Sequence, residues 1–263
     1  MKRGLIVYSD IDAVANHWFI RAFLQAFNDQ HFCLSYVREK DVLDYVSREH
    51  VDFVIYRSRQ YEIVEQLEAQ KMRVFNNSLV NKIANNKYLA FKLFKELDFP
   101  TIETYLDGDS LKMPYIMKTV SGHGGKEVFL IDEEEKEKVL LEQFKGQDFI
   151  YQSPVANYGD VRLYVFNKKV IASIKRSNVY DFRSNHSLGG DIELYQPTKE
   201  MVDIAIKIAK HLDADYIGVD FLLIKDGFLL NEIEDPVGAR MLYQLTDIDI
   251  VKEYTNYIKN IMR

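Results

Sequence analysis

The sequence predicts a mixed α/β protein in which an N-terminal parallel sheet precedes strands that pair in hairpins. In the N-terminal third, short apolar runs such as Leu5–Tyr8 alternate with segments whose apolar residues recur at helical spacing. That alternation is typical of parallel strands joined by helices. Later strand candidates lie close together in pairs, joined by short turns such as Lys225-Asp226-Gly227, and such spacing favours hairpins.

The first 84 residues are interpreted as a Rossmann-like domain. The runs HFCLSYV, VDFVIY and MRVFN follow the first strand as further strands, and a helix is expected over residues 61–70. An earlier helix places one set of apolar residues on a common face: Trp18, Phe19, Ala22, Phe23, Ala26 and Phe27. The G-x-G-x-x-G pattern is absent from the sequence, so nothing in this region indicates a dinucleotide.

The remainder of the chain reads as helices and paired strands. Residues 85–97 have the spacing of an amphipathic helix that Pro100 ends. Strand pairs are expected in MPYIMKTV with KEVFLI, in DVRLYVF with VIASIKRS, and in YIGVDFLLI with GFLLNEIE, with a further strand in DFIYQSPV. Residues 178–191 are too polar for a core element, residues 197–212 form an amphipathic helix, and a last helix begins near Asp249.

Composition narrows the class of protein. The 34 basic and 40 acidic residues give a net charge of -6, which disfavours a broad nucleic-acid surface. Cys33 is the only cysteine, so no intrachain disulfide is expected and a reducing compartment is favoured. No apolar run reaches the roughly 18 residues that a membrane span needs. We therefore expect a cytoplasmic protein with neither membrane nor nucleic acid as partner.

Three acidic residues lie within apolar strands of the last hairpin. Glu232 and Glu234 are two residues apart and share one face of their strand, and Asp220 lies on the paired strand. Buried carboxylates that converge repel one another unless a cation neutralises them. Oxygen ligands without His or Cys are typical of Mg²⁺. The alternative, in which the three acids face water on a one-sided sheet, stays open at this point.

A glycine-rich turn and a basic segment are candidate anion sites. Glycines in Ser121-Gly122-His123-Gly124-Gly125 let backbone N–H groups approach phosphate, and Lys118 lies nearby in the sequence. The segment lacks the spacing of a Walker A loop, and an ordinary turn would have a similar sequence. His123 is expected to be exposed. A second group of polar residues could hold phosphate or a carboxylate, or simply belong to a surface loop: Asp160, Arg162, Lys175, Arg176, Arg183, Asn185, Gly189 and Gly190.

Taken together, six segments resemble one family. NNKYLAFKLF, PYIMKTVSGHGGKEVFL, DVRLYVFNKKVIASIKR, DFRSNHSLGG, YIGVDFLLI and LLNEIEDPVG occur in the order found in ATP-grasp ligases of the RimK type and in the related lysine-biosynthesis ligase LysX. Each segment alone is weak, but the ordered set covers about 180 residues, from residue 85 to the C-terminus. The resemblance implies an ATP-grasp fold with two α+β subdomains, residues 85–155 and 156–263, behind a pre-ATP-grasp domain of residues 1–84.

The resemblance also implies roles for particular residues. Those implied to contact ATP are Lys87 and Lys118 at the phosphates, Ser121, Gly122, Gly124 and Gly125 in the covering hairpin, and Gln152 and Ser153 at the adenine strand. Asp220, Glu232 and Glu234 match the positions that hold two Mg²⁺ ions, with Mn²⁺ as the alternative metal. Arg162, Arg176, Arg183 and Asn185 match catalytic positions on the substrate and phosphate side.

The implied function is an ATP- and Mg²⁺-dependent ligase that joins a carboxylate to an amine through an acylphosphate and releases ADP. Its expected partners are a small-molecule or peptide carboxylate and an amine or amino acid, and relatives are usually homo-oligomers. Asp220→Asn and Glu232→Gln are expected to abolish ATP turnover and leave the fold intact. Two other classes stay open: an ATP-binding regulatory module without turnover, and a ligand-binding or structural α/β protein unrelated to ATP.

Two departures from the family pattern stand out. Ser153 replaces the acidic residue that usually follows the adenine-strand glutamine and bears on ribose recognition, and Glu234 replaces the usual asparagine at the last metal position. Arg240 is a candidate to offset the added charge of Glu234 or to meet an acidic substrate. Arg57, in VIYRS, is a candidate substrate contact.

Overall fold

The computed structural model describes residues 1–177 and 191–263, which belong to two compact units. The first unit comprises Met1–Lys82, Ala209–Tyr216 and Asp235–Arg263, and the second comprises Ile83–Ile208 and Ile217–Glu234. The division into domains at residues 1–84, 85–155 and 156–263 stays a prediction. None of the described helices combines the length and apolar character needed to cross a bilayer.

The secondary structure alternates at the N-terminus and becomes strand-rich in the middle. The strands are β1 (Lys2–Tyr8), β2 (Phe32–Arg38), β3 (Phe53–Tyr56), β4 (Arg73–Phe75), β5 (Thr104–Tyr105), β6 (Tyr115–Thr119), β7 (Val128–Ile131), β8 (Phe149–Gln152), β9 (Asp160–Phe166), β10 (Lys169–Ser177), β11 (Asp191–Leu194), β12 (Tyr216–Ile224) and β13 (Gly227–Glu234). The α-helices are α1 (Asp10–Ala15), α2 (His17–Phe27), α3 (Val42–Arg48), α4 (Tyr61–Ala69), α5 (Ser78–Ala84), α6 (Lys87–Glu96), α7 (Glu134–Gln143), α8 (Lys199–His211), α9 (Arg240–Leu245) and α10 (Ile250–Ile261), with a 3₁₀ turn at Glu39–Asp41.

A four-stranded parallel sheet forms the centre of the first unit. Its strand order is β2-β1-β3-β4, and each neighbouring pair runs parallel. The central strand β1 is buried from Gly4 to Tyr8, and β3 is buried throughout. Central strands of a covered parallel sheet read as continuous apolar runs for this reason. The parallel sheet predicted for the N-terminal region is confirmed.

Helix α2 buries its phenylalanines, whereas its tryptophan stays partly exposed. Phe19, Phe23 and Phe27, spaced by four residues, are each no more than 3% exposed, whereas Trp18 is 42% exposed. The Phe23 ring meets Tyr254 of α10 edge to face, with 6.0 Å between the ring centroids. Trp18 precedes Phe19 by one residue, which turns its side chain by about 100° around the helix. The prediction that Trp18 belongs to the buried face is therefore wrong.

The second unit contains two sheets. One has the order β5-β8-β6-β7, and all of its neighbouring pairs are antiparallel. The other has the order β11-β10-β9-β12-β13, in which β9 with β10 and β12 with β13 are the predicted hairpins. Both hairpins are confirmed, as is the hairpin of β6 with β7.

Strand β11 escaped prediction because its side chains carry no apolar pattern. Its residues DIEL are mostly exposed, and the strand is joined to β10 by backbone pairs from Ile174↔Leu194 to Ser177↔Asp191. An edge strand of this kind is held by its backbone hydrogen bonds, which periodicity in the sequence does not report.

Candidate active site

Three carboxylates converge on the hairpin of β12 and β13. Asp220 lies opposite Glu232, and Gly218 lies opposite Glu234, so the two glutamates follow one another along the same face. One ligand oxygen from each of these acids lies within 4.8 Å of the others. Asp220 is completely buried, whereas both glutamates are half-buried. The structure thus brings together all three acids that the sequence singled out.

A β-bulge creates this arrangement. The register shifts between Asp220 and Phe221, which pair with Glu232 and Leu230. Asn231 is therefore the extra residue of β13, and it lines a cavity beside Glu232. Bulges commonly redirect a side chain next to a functional site. The sequence shows Asn231 as one more polar residue in a strand and does not reveal the bulge.

Two buried arginines neutralise Asp220. Arg162 donates from Nε and Nη2 to the two carboxylate oxygens, at 2.8 and 2.7 Å, and Arg176 Nη2 donates to Oδ2 at 2.6 Å. Burial by itself raises the pKa of Asp220, but Arg162 and Arg176 reverse that effect and lower the pKa to about 2. Asp220 is therefore ionised throughout the neutral range, as a metal ligand must be.

The same arginines reach two other acids. Arg162 Nη2 also donates to Glu234 Oε2 at 2.9 Å, and Arg176 Nε donates to Asp160. Glu234 stands where the family usually has asparagine, and Arg162 neutralises its added charge. Arg240 donates to the backbone oxygen of Ala15 at 2.7 Å within the first unit, and the expectation that it offsets Glu234 stays a prediction.

Two lysines lie near the carboxylates. Lys87 is the first residue of α6, where the side chain of Asn86 caps the helix by accepting from the Leu89 N–H at 2.9 Å. The Lys87 ammonium group donates to the backbone oxygen of Gly122. Burial lowers the pKa of Lys87, although the charge of Glu232 acts in the opposite direction. Burial likewise lowers the pKa of Lys118, to about 8, against the same Glu232 charge.

The pKa of Glu232 depends on the same neighbouring charges. Burial raises the pKa of Glu232, and the charges of Asp220 and Glu234 raise it further, while the two lysines lower it. A divalent cation would relieve this repulsion, because it supplies positive charge next to three carboxylates. Three oxygen ligands without nitrogen or sulphur fit Mg²⁺, or Mn²⁺, in preference to softer metals.

The glycine-rich loop follows Lys118 on β6. Gly124 and Gly125 adopt φ values of +68° and +72°, which favour glycine. At Gly122 a side chain would collide with the Thr119 hydroxyl, which itself donates to the Glu127 carboxylate. Gly122, His123, Gly124 and Gly125 line the cavity. Ser121 is exposed at the start of the loop and is not among the lining residues in the described part of the chain.

A cavity of about 380 Å³ lies within the second unit, lined from both of its sheets. One part of the lining is apolar: Ile102, Pro114, Ile116, Val128, Leu130, Pro154, Val155 and Leu222. The polar part includes Lys87, Lys118, Glu127, Gln152, Ser153, Asn157, Asp160, Asn231 and Glu232. A cavity with an apolar half and a polar half that contains two lysines and three carboxylates suits a ligand that has a flat ring at one end and metal-bound phosphates at the other.

Strand β8 ends at Gln152, and Ser153 follows it; both residues line this cavity. The Gln152 side chain donates to the Thr104 hydroxyl at 2.7 Å, which holds it against the neighbouring strand β5. Gln152 is buried, and Ser153 is exposed at the cavity wall. The sequence did not single out Glu127, Asn157 or Leu222 as lining residues, because they come from a turn, a loop and a strand that only tertiary structure brings together.

Arg183 and Asn185 lie outside the described residues. Arg57 is only 6% exposed, and its guanidinium donates to the Val237 oxygen at 2.8 Å and to the Tyr8 hydroxyl at 3.2 Å. These contacts give Arg57 an internal structural role in the first unit, in place of the expected substrate contact.

The two sheets and the cavity that they line define the fold class as ATP-grasp. D-cycloserine synthetase DcsG shares this fold with a TM-score of 0.76 at 16% identity, over 99% of this chain and 100% of that one. The ATP-grasp ligase PsnB, solved with a minimal precursor, Mg and ADP, shares it with a TM-score of 0.71 at 15% identity, over 99% of this chain and 97% of that one. The predicted ATP-grasp fold is confirmed.

Sequence comparison narrows the class to a family. The model of the RimK-like ATP-grasp domain matches residues 69–258. A probable alpha-L-glutamate ligase from Haemophilus influenzae is 27% identical over 267 residues, which cover 93% of this chain and 86% of that relative. The chain belongs to the RimK-like ATP-grasp family of carboxylate–amine ligases, and it is an ATP-dependent ligase. The family recognised in the sequence is thus confirmed.

Proposed function

We propose that this chain activates a carboxylate with ATP as an acylphosphate and transfers the acyl group to an amine, with Mg²⁺ as its metal. The observation that carries this proposal is the convergence of Asp220, Glu232 and Glu234 within 4.8 Å beside a cavity that also contains Lys87 and Lys118. Carboxylates next to lysines suit a metal-bound polyphosphate, because the cations hold the phosphates and the carboxylates hold the metal.

Each part of the cavity has a role in this proposal. The apolar lining around Ile116 and Leu222 receives the adenine ring, with Gln152 and Ser153 at the strand beside it. Lys87, Lys118 and the backbone N–H groups of Gly122–Gly125 contact the phosphates. Asp220, Glu232 and Glu234 hold Mg²⁺, which supplies charge neutralisation for the transferring phosphoryl group.

The proposed reaction has two steps. A carboxylate oxygen of the substrate attacks the γ-phosphorus, the bond from that phosphorus to the bridging oxygen breaks, and ADP leaves with the electron pair. The amine nitrogen then attacks the acyl carbon, phosphate leaves with the electron pair of the carbon–oxygen bond, and the nitrogen loses a proton to solvent. No enzyme nucleophile is needed, and the protein contributes positioning and electrostatic stabilisation.

Arg162 and Arg176 act in this scheme by holding acids. Their donors are directed to Asp220, Glu234 and Asp160, and both guanidinium groups are buried. We infer that they orient the metal ligands and balance the negative charge around the phosphates. Arg183 and Asn185 are proposed contacts of the substrate carboxylate or phosphate.

The substrates are proposed to be amino acids or peptides. One relative carries the name alpha-L-glutamate ligase, and PsnB was solved with a precursor. A regulatory module without turnover is the competing proposal, because Ser153 and Glu234 depart from the family pattern. The pairing of Glu234 with Arg162 weakens that competitor, since the added charge has a partner within the site.

Continued ADP release over many turnovers is expected only when an acid and an amine are both present, because the acid alone stops at the acylphosphate after one ADP is released. The test combines Mg-ATP with a panel of amino acids, dipeptides and dicarboxylic acids, each as donor and as acceptor, and measures ADP with a coupled assay and the amide product by mass spectrometry. An acid and an amine that together yield ADP and the amide product support the ligase proposal. Tight binding of Mg-ATP without product from any pair would favour the regulatory module.

The affinity for nucleotide is expected to fall as the pH rises above about 8. Lys118 has its pKa lowered to about 8, and bound phosphates would favour its charged form, so binding above that pH must take up a proton. The dissociation constant for ADP should rise by up to about tenfold per pH unit between pH 8 and pH 9.5, measured by calorimetry. Lys118→Arg keeps its charge throughout this range and should give a flat profile; identical profiles would contradict the assignment.

A further inference from the structure

The open end of the hairpin that carries the three acids is held by buried amide side chains. Strand β12 begins at Tyr216 and β13 ends at Glu234, so this end lies opposite the turn that joins the strands. Asn76 Nδ2 donates to the Tyr216 oxygen at 2.8 Å and to Asp235 Oδ1 at 2.9 Å. One side chain therefore links the first residue of β12 to the residue that follows β13.

Asn76 uses its oxygen as well. Oδ1 accepts from the backbone N–H groups of Asp215 at 2.6 Å and Tyr216 at 3.1 Å. The Asn76 side chain is 4% exposed. A buried amide with both donor and acceptor engaged holds its neighbours in one geometry, because moving any of them leaves a polar group unsatisfied.

Asn81 completes the arrangement. Its Nδ2 donates to Asp235 Oδ2 at 3.1 Å and to the Ser58 oxygen at 2.8 Å. Both oxygens of the Asp235 carboxylate are thus held by amides, and Asp235 is covalently next to Glu234. Asn81 and Asp235 are 1% and 5% exposed.

The position of this end matters because the register of the hairpin decides where the acids point. A shift of one residue turns every side chain of a strand to the other face. The bulge at Asn231 already makes the register irregular beside Glu232. With the turn fixing one end of the hairpin, restraint at the other end keeps Asp220 and Glu232 opposite one another.

We propose that Asn76 and Asn81 are positioning residues that set the geometry of the metal ligands by holding the open end of β12 and β13. This inference rests on the proposed function, in which Asp220, Glu232 and Glu234 hold the metal. Neither asparagine reaches the metal; both act through Asp235 and the strand ends.

The test measures Mn²⁺ bound in the presence of ADP, from the free Mn²⁺ signal in electron paramagnetic resonance. Asn76→Ala and Asn81→Ala should each weaken Mn²⁺ binding by about tenfold, as changes behind metal ligands do. ADP binding measured without metal, with chelator present, should change less than about twofold, because the base cavity and lysines are untouched. All measurements are made where circular dichroism shows the variant to be folded.

Asn77→Ala is the matched control. Asn77 neighbours Asn76 in sequence, but its hydrogen bonds go to other partners: its amide donates to the backbone oxygens of Leu212 at 2.9 Å and Asp213 at 3.3 Å, and its oxygen accepts from the Val80 N–H at 2.9 Å. We expect it to lower thermal stability and to leave Mn²⁺ affinity unchanged. Equal loss of Mn²⁺ affinity in Asn77→Ala and Asn76→Ala would show a general structural effect and overturn the proposal.

A swap of the donor and acceptor provides rescue. Asn81→Asp alone places two carboxylates together and should weaken Mn²⁺ binding, whereas Asn81→Asp combined with Asp235→Asn restores an amide–carboxylate pair and should recover part of the affinity, since a carboxylate at position 81 still cannot donate to the Ser58 oxygen. If Asn76→Ala fails to fold, Asn81→Ala and this swap decide the question. Unchanged Mn²⁺ affinity in the folded asparagine variants overturns the inference. Wild-type protein that binds no Mn²⁺ with ADP overturns the proposed function itself.

Discussion

Glu232→Gln is expected to reduce ATP turnover by about 100-fold or more, with little change in the stability of the fold. Of the three converging acids, Glu232 is the one that lines the cavity, and burial together with the charges of Asp220 and Glu234 raises its pKa. Glutamine has nearly the same shape and removes the negative charge, so the metal site loses one ligand while the unfavourable repulsion in the metal-free protein decreases.

Turnover is measured as ADP release with the productive acid and amine, and Mn²⁺ affinity in the presence of ADP is measured alongside it. Glu142→Gln is the matched control, since the Glu142 side chain is 78% exposed in α7 and pairs with Lys145 at the surface. It should have wild-type turnover. Retention of full activity and metal affinity in Glu232→Gln would exclude the carboxylate group from the metal site.

Asp220→Asn is expected to destabilise the protein by about 3–5 kcal/mol, in addition to abolishing turnover. Asp220 accepts three charge-assisted hydrogen bonds from Arg162 and Arg176, all of them buried. Asparagine removes the charge that neutralises two guanidinium groups and turns an amide N–H₂ toward one of them. The expectation from sequence that this variant leaves the fold intact is therefore revised, because the sequence does not show these pairs.

The destabilisation is measured by urea unfolding near pH 7, with Asp226→Asn as control. Asp226 is exposed in the hairpin turn before Gly227, where asparagine is equally suited, so its variant should unfold like the wild type. A difference below about 1 kcal/mol for Asp220→Asn would show that the arginine pairs contribute little.

The ion pairs of Asp220 with Arg162 and Arg176 make the free energy of unfolding depend on pH in a defined window. The folded pKa of Asp220 is lowered to about 2 from an ordinary value of 3.8, so its stabilisation is present above about pH 4 and is lost as the pH falls toward 2. The gap in unfolding free energy between wild type and Asp220→Asn should therefore narrow between pH 4 and pH 2. If the difference in unfolding free energy stays constant over this range, it does not arise from the ionisation of Asp220.

Local patterns in the sequence were sufficient for most elements and for the principal acids. Period-two alternation places Glu232 and Glu234 on one face of β13, and helical spacing with a capping asparagine places Lys87 at the start of α6. These features depend on residues a few positions apart, whose geometry the backbone dictates wherever the segment lies. Two of the failures are Trp18, a residue at the edge of a helical face, and β11, a strand without apolar side chains. The short elements α3, α5, α9 and β5 were not predicted either.

Tertiary structure alone decided how the acids are held. Arg162 and Arg176 reach Asp220 from residues 58 and 44 positions away, and Asn76 reaches Asp235 across 159 positions. The bulge at Asn231 depends on pairing with β12, and the cavity depends on two sheets contributing side chains to it. The sequence by itself determined which chemistry the protein can perform, because residue types and local periodicity are written in it. Only the folded chain decided which charges neutralise one another, because that depends on register and burial between segments distant in sequence.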